Sequence, residues 1–266
     1  IELDESSLEG ASCTGAGVLQ EKNERLGDTL NARTFAMAEK SGLPLMTICS
    51  TCQGVMAQAN ERLTSDPEYL ESINEDLREE GLEYKGTIEP KHLLWVIAED
   101  LGIDFLKSKI VRTLDGIKLA PFYGCYIVRP SKALGLDKNP NRKQALEEVI
   151  EAVGGEVVDF PGKTLCCGFP ILTINPENSL KMVSNHTLDA KHSGADAMVT
   201  PCPLCHLNLD GYQPQASASV KQDIDLPIIH LPQLVGLALG IKPEDMRLNK
   251  HIVSTKKLLS ELAVTP

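Results

Sequence analysis

The chain has 266 residues, a formal charge of −11 and a pI near 5.1, an acidic balance that argues against a nucleic-acid backbone as partner. Its length suffices for one large or two small domains with a sizeable core. No apolar run reaches the roughly 18 residues of a membrane span: the longest lie near Leu93–Ala98 and Leu234–Leu239, and no signal peptide is visible.

In chain order, the pattern predicts a helix over Gly17–Lys40, a strand over Leu45–Ile48, and helices over Pro67–Glu80 and Lys91–Leu101. A strand over Ile117–Tyr123 follows, then a helix over Arg142–Val153 closed by Gly154-Gly155, and a strand over Glu156–Phe160. The remainder reads as helix Asn178–Lys191, strand Ala197–Thr200, a polar loop Gln213–Gln222, strand Leu226–Ile229 and helix Pro232–Leu239. Short β-rich runs alternating with amphipathic helices predict an α/β fold with short parallel sheets flanked by helices.

The cysteines repeat. Cys13, Cys49 and Cys52 recur as Cys166, Cys202 and Cys205 at a constant offset of 153 positions, and Gly15 recurs as Gly168. Thr14 stands where Cys167 would repeat, and the counterpart of Cys125 would precede residue 1. The arithmetic therefore predicts roughly thirty further residues upstream carrying another cysteine; the alternative is that this ligand does not exist. A second match aligns His92–Ile103 with His230–Ile241. Two pseudo-repeated units follow, 1–115 and 116–266, the first N-terminally incomplete and carrying the degenerate Cys-Thr-Gly motif.

Eight cysteines permit four disulfides, but the vicinal pair Cys166-Cys167 closes only a strained ring, and a chain of this size needs no staples. CxxC pairs without a secretory signal point to metal or redox chemistry in a reducing, cytoplasmic compartment. Cys49 and Cys202 each end a predicted strand and open a helix, whose N-terminus favours thiolate and anionic clusters. Cys125 also follows a strand, so the sulfurs gather at strand carboxyl ends, where open parallel sheets place their sites. The complete set is Cys125, Cys166, Cys167, Cys202 and Cys205. Five thiolates exceed the four of a tetrahedral zinc or an ordinary cubane cluster; zinc remains the alternative occupant.

The run Cys125-x40-Cys166-Cys167-Gly168-x33-Cys202-x2-Cys205, with FYGCYIVRP, KTLCCGFP and VTPCPLCHLNLDGY around it, resembles the CCG-domain signature. That signature recurs in the B subunits of heterodisulfide reductases and in a related subunit of archaeal-type succinate dehydrogenases. The resemblance implies an unusual non-cubane [4Fe–4S] cluster on each full CCG set, with a pair of them where a disulfide is reduced. Carried over, Cys125, Cys166, Cys167, Cys202 and Cys205 would hold one. The first set departs from the pattern: with Thr14, its Cys13, Cys49 and Cys52 offer at most four thiolates including one from upstream. A conventional iron–sulfur cluster is the preferred occupant there, with zinc or no metal as alternatives, and Thr14 would donate a hydrogen bond to a cluster sulfur.

Other residues receive modest roles. His206 and the pair His186 and His192 are expected on polar helix surfaces, and His92 and His230 as caps at matching helix starts. Arg129 either neutralises a cluster or anionic substrate or forms a surface ion pair, Trp95 belongs in the core or an interface, and the acidic run Glu71–Glu83 is a solvated face, with docking to a basic partner as the alternative.

Together these readings describe an iron–sulfur subunit of a multisubunit oxidoreductase similar to heterodisulfide reductase. It would move electrons between a flavin or iron–sulfur partner subunit and a disulfide or thiol substrate. No G-x-G-x-x-G follows a strand, so electrons would arrive from another protein. The alternative is the CCG subunit of a succinate dehydrogenase-type complex passing electrons to quinone, peripheral at the cytoplasmic membrane face. A zinc-stabilised structural subunit is the third reading.

Overall fold

A computed structural model describes residues 3–4 and 8–262. The first unit contributes helices α1 (Val18–Lys22) and α2 (Glu24–Ser41), strand β1 (Met46–Thr47), and helices α3 (Ser50–Ser65) and α4 (Pro67–Leu77). Strand β2 (Lys91–His92) follows, then α5 (Leu93–Trp95), a π-helical stretch Val96–Gly102, and α6 (Ile103–Lys109). The second unit runs β3 (Lys118–Pro121), α7 (Ala145–Ala152), β4 (Glu156–Val157), α8 (Pro176–His192) and β5 (Ala197–Thr200). It ends with α9 (Pro203–Gly211), α10 (Gln213–Val220), β6 (Ile228–His230), α11 (Leu231–Ala238) and α12 (Lys256–Glu261).

Every strand pairing among the described residues is parallel. β1 pairs with β2, and a four-stranded sheet has the order β4-β3-β5-β6. The expected architecture of short parallel sheets flanked by helices is thus present. β5 is wholly buried, so Ala197, Met198 and Val199 follow one another without polar alternation, as in a strand covered on both faces.

The repeat is structural as well as sequential. β1 and β5 lead into the two CxxC helices, and β2 and β6 lead into the aligned helices at His92 and His230. In the second sheet β3 lies between β4 and β5. Counting back 153 positions, β1 matches β5 and residues 3–4 match β4. Between Leu3, Asp4 and Leu8 on one side and Leu43–Ile48 on the other lies a groove of about 860 Å³.

Three apolar cores hold the molecule. One joins the units: Leu94 and Trp95 pack with Leu119, Ile150, Val199, Ile229 and Leu234. Buried Arg142 reinforces that junction, pairing with Glu99 at 2.7 Å and lying 4.3 Å over the Trp95 ring. A second core, with Phe122, Met198 and Leu209, carries the sulfurs. The third sits under α2, α3 and α4 around Phe35, Leu63 and Tyr84.

Several local expectations are corrected. The segment read as a polar loop, Gln213–Gln222, is helix α10 over most of its length. Small residues there carry the helix, and Gln213 is buried, donating to Leu209 and Leu226 carbonyls at 3.0 Å each. The helix placed at Lys91–Leu101 is preceded by β2, whose two residues are too few for a periodic signal. The long first helix is interrupted at Asn23, whose extended backbone and side-chain bond to Leu26 N start α2 afresh. The last strand begins two residues late, at Ile228. Trp95 is buried as expected, and of the acidic run Glu71 and Asp76 form exposed ion pairs with Arg78 and Arg25.

Candidate metal centre

The two CxxC pairs are presented identically. Cys49 has φ −130° and ψ 119°, Cys202 has φ −121° and ψ 120°, and each immediately precedes its helix. Both residues therefore stand at a helix N-terminus, with its free N–H groups and the positive end of the helix dipole. The preceding Cys-x-Gly motifs also match: Gly15 N donates to Cys13 Sγ and Gly168 N to Cys166 Sγ, both at 3.4 Å. That turn requires positive φ, 70° at Gly15 and 93° at Gly168, which glycine adopts without strain.

All eight cysteines are free thiols. Seven of them form one unbroken run of sulfur contacts: Cys125, Cys166, Cys167, Cys205, Cys202, Cys49 and Cys52. The crossing from the second set to the first is Cys202 to Cys49, at 3.9 Å. Beyond Cys52 the run ends at Thr14, whose hydroxyl donates to Cys52 Sγ at 3.5 Å. The structure thus joins two sets that sequence treated as separate, and Cys13 stands exposed at the margin.

Thiol hydrogen bonds divide the run into proton holders and thiolates. Cys125 first, then Cys167, hold Cys166 down to about 2. Cys205 and then Cys49 push Cys202 well below the usual thiol range, and Cys49 holds Cys52 at about 6. Cys49 and Cys125 are raised, chiefly as donors to Cys202 and Cys166 respectively, and Cys167 is pushed up to about 12 by Cys166. Cys52, Cys166 and Cys202 are thus the sulfurs on which the thiolate form is favoured, within a soft pocket of seven sulfurs.

The peptide of the vicinal pair is clamped from both sides. His186 Nε2 meets Cys166 O at 2.9 Å, Asn208 donates to Cys167 O at 2.7 Å, and the Ser179 hydroxyl to Gly168 O at 3.0 Å. His186 is buried against Phe122 rather than on a polar face. Ser179, Val183, His186 and Ala190 form one buried stripe of α8; that spacing was the available signal, while Asn208 left none. On the other side Gly124 (φ 69°) leaves room for Cys205, since a Cβ there would come within 2.9 Å of its sulfur.

His92 caps α5 as expected, accepting from Leu94 N at 3.0 Å, and its other nitrogen meets Pro201 O at 3.1 Å, just before Cys202. One unit's histidine thus braces the other unit's cysteine loop. Arg129 donates to Thr164 O and mildly favours the Cys125 thiolate. His206, expected at the surface, is half-buried, its ring 4.6 Å from that of His251.

The sulfurs open into a narrow cleft whose walls include Ala16, Thr51, Tyr126, Phe169 and Leu204. Leu165, directly before the vicinal pair, and Ile174, beyond the turn Phe169–Ile171 that follows it, are exposed. The residues fit a multi-iron group: the donors are all soft, more numerous than one tetrahedral ion accepts, and already backed by carbonyl clamps and helix termini.

Comparison with known proteins agrees. The profile of the cysteine-rich CCG domain matches residues 1–57 and 119–210, taking in every cysteine. The chain is 39% identical over 251 residues to the 8-methylmenaquinol:fumarate reductase membrane anchor subunit of Wolinella succinogenes, covering 94% of this chain and 87% of that one. It is 33% identical over 268 residues to a subunit of the ferredoxin/F(420)H(2)-dependent CoB-CoM heterodisulfide reductase of Methanosarcina acetivorans, covering 98% and 88%. A crystal structure of a hypothetical protein from Helicobacter pylori shares the fold, with a TM-score of 0.72 at 20% identity over 95% of this chain and 50% of that one.

Proposed function

We propose, for this chain that belongs to the cysteine-rich CCG domain family, the role of an iron–sulfur electron-transfer subunit in a multisubunit oxidoreductase. The observation that carries this reading is the continuous sulfur run from Cys125 to Cys52. A lone zinc would leave most of it unused. Cys125, Cys166, Cys167, Cys202 and Cys205 hold a non-cubane [4Fe–4S] cluster, and Cys13, Cys49 and Cys52 hold a second group, for which Thr14 removes one thiolate. Such clusters supply electrons one at a time.

The chain's own residues then do three things. The carbonyl clamps from His186, Asn208 and Ser179 fix the vicinal sulfurs, so that little reorganisation accompanies a change of charge. The Cys49–Cys202 contact gives electrons a short path between the two sets. Phe169, Leu204 and Tyr126 narrow the cleft and restrict water beside the sulfurs. Cleaving a disulfide consumes two electrons and two protons and yields two thiols, and the electrons come from a flavin or iron–sulfur partner subunit.

A quinone is the second reading for the substrate. It is favoured by the Wolinella relative, named for a quinol-linked fumarate reductase, and by the exposed apolar side chains Leu165 and Ile174 at the vicinal loop. No described helix is long and apolar enough to cross a membrane; in this reading the chain meets the quinone pool peripherally, at the membrane surface.

Anaerobically isolated protein should contain iron and acid-labile sulfide in near-equal amounts, with a paramagnetic signal in one redox state. Zinc without sulfide would sink the reading. In the complex with its partner subunits, disulfide-dependent oxidation of reduced carrier supports the first substrate class, and quinone-dependent oxidation alone the second.

A further inference from the structure

Behind the second CxxC, α9 carries another group of ligating side chains. His206 and Asp210 stand four residues apart on α9, a spacing that puts both on one helix face. His251 joins them from the loop after the 3-10 turn Leu248–Lys250. One ligand atom of each residue lies within 4.8 Å of the others.

Three facts make this more than chance proximity. Asp210 is 4% exposed, and its carboxylate accepts Ile252 N at 2.8 Å and Val253 N at 3.0 Å. Those partners are neutral backbone groups, and no lysine or arginine among the described residues forms an ion pair with the carboxylate. Imidazole nitrogens Nε2 of His206 and Nδ1 of His251 are buried without a hydrogen-bond partner. A buried carboxylate beside two imidazoles, each with one unpartnered buried nitrogen, is a charge that lacks its counter-ion.

We infer that His206, Asp210 and His251 bind one borderline divalent cation, zinc foremost, at a site distinct from the cysteine sulfurs. Two imidazoles and a carboxylate form a nitrogen–oxygen set that suits such an ion and leaves coordination positions for water. Ligand distances of about 2.0–2.2 Å require the three residues to draw somewhat closer together. An access path exists through a cavity of about 350 Å³ lined by His206, His230, Pro232, Gln233 and Met246. The bound ion would tie the C-terminal loop to the helix that opens with Cys202 and carries Cys205.

Gln233 sets the cost of ligation. Its Oε1 accepts His230 N, and its Nε2 donates to Met246 O and to His251 Nε2, each at 3.0 Å. His251 therefore keeps its single ring proton on Nδ1 while no ion is bound. Ligation through Nδ1 moves that proton to Nε2, where the Gln233 amide must turn away. Gln233→Glu would offer an acceptor in its place, and such outer partners change metal affinity by about 10- to 100-fold.

The experiment titrates Co²⁺ into chelator-treated protein with its iron–sulfur groups intact, followed by Zn²⁺ competition. The expected result is one equivalent of cobalt with weak ligand-field bands and no thiolate charge-transfer absorption. His251→Ala should weaken binding at least about 100-fold while iron, sulfide and the paramagnetic spectrum stay unchanged, and Gln233→Glu should tighten it about tenfold. Absence of stoichiometric cobalt, cobalt with thiolate absorption, or a His251→Ala protein that binds normally would each overturn the site. Should His251→Ala fail to fold, Gln233→Glu decides, because it keeps all three ligands: binding no tighter than in the unaltered protein rejects the inference.

Discussion

The sulfurs of Cys49 and Cys202 lie 3.9 Å apart, although their residues are separated by 153 positions and occupy equivalent places in the repeat. Each leads from a parallel strand into a CxxC helix, so the repeat brings the two helix N-termini face to face. The pseudo-symmetry explains the contact: like elements meet like across the junction of the units.

That contact predicts cross-talk. Cys202→Ser should remove the second set's signal, and it should also shift the signal arising from Cys13, Cys49 and Cys52, because Cys49 loses its sulfur neighbour. Iron content should fall by about half or more. Electron paramagnetic resonance of the oxidised and reduced states checks this; a first-set signal identical to that of the unaltered protein would contradict it.

Cys167→Ser separates the two sets more cleanly. Cys167 touches Cys166 and Cys205 but no first-set sulfur in the run. Its loss should change the second set's spectrum and leave the first set's largely intact.

Thr14→Cys tests the departure in the first set. Thr14 already reaches Cys52 with its hydroxyl, so a thiol there enters the sulfur run without rearrangement. The variant should bind more iron per chain and acquire a first-set spectrum closer to that of the second. Unchanged iron content and spectra would place Thr14 outside the ligand shell.

Gly54 and Tyr126 are matched across the units. A Cβ on Gly54 would run into the Tyr126 carbonyl oxygen and ring, and one on Gly17 into the Tyr126 hydroxyl. Gly54→Ala should destabilise the protein by about 1–3 kcal/mol through overpacking, read as a lower urea midpoint. It should also disturb the adjacent Cys125 loop, visible as a change in the second-set spectrum.

Acid should weaken the fold through His92. Complete burial lowers it to about 4 from 6.5, so the native state keeps it neutral where the unfolded chain takes up a proton. The stability this confers is fully present above pH 6.5 and is lost as pH falls from 6.5 towards 4. At about 1.4 kcal/mol per pH unit for one proton, the loss approaches about 3 kcal/mol. His230, lowered to about 4 mainly by burial, acts in the same direction. Urea midpoints at pH 7 and pH 4.5 should converge in His92→Asn, whose side chain can still cap Leu94 N.

The sequence alone determined the fold class, the cysteine repeat and the placement of each CxxC after a strand, because these follow from local periodicity and from spacing along the chain. It could equally register Thr14 as a departure from the cysteine pattern, whereas its hydrogen bond to the Cys52 sulfur came only from the fold. Short strand β2 escaped it, since two residues hold no period, and α10 was hidden by small polar residues that serve loops and helices alike. Tertiary structure decided that two sulfur sets form one run, that His186 and Asn208 clamp the vicinal peptide, and that His206, Asp210 and His251 converge. Those facts depend on how distant helices pack, and packing is fixed by the whole buried surface, not by any window of the chain.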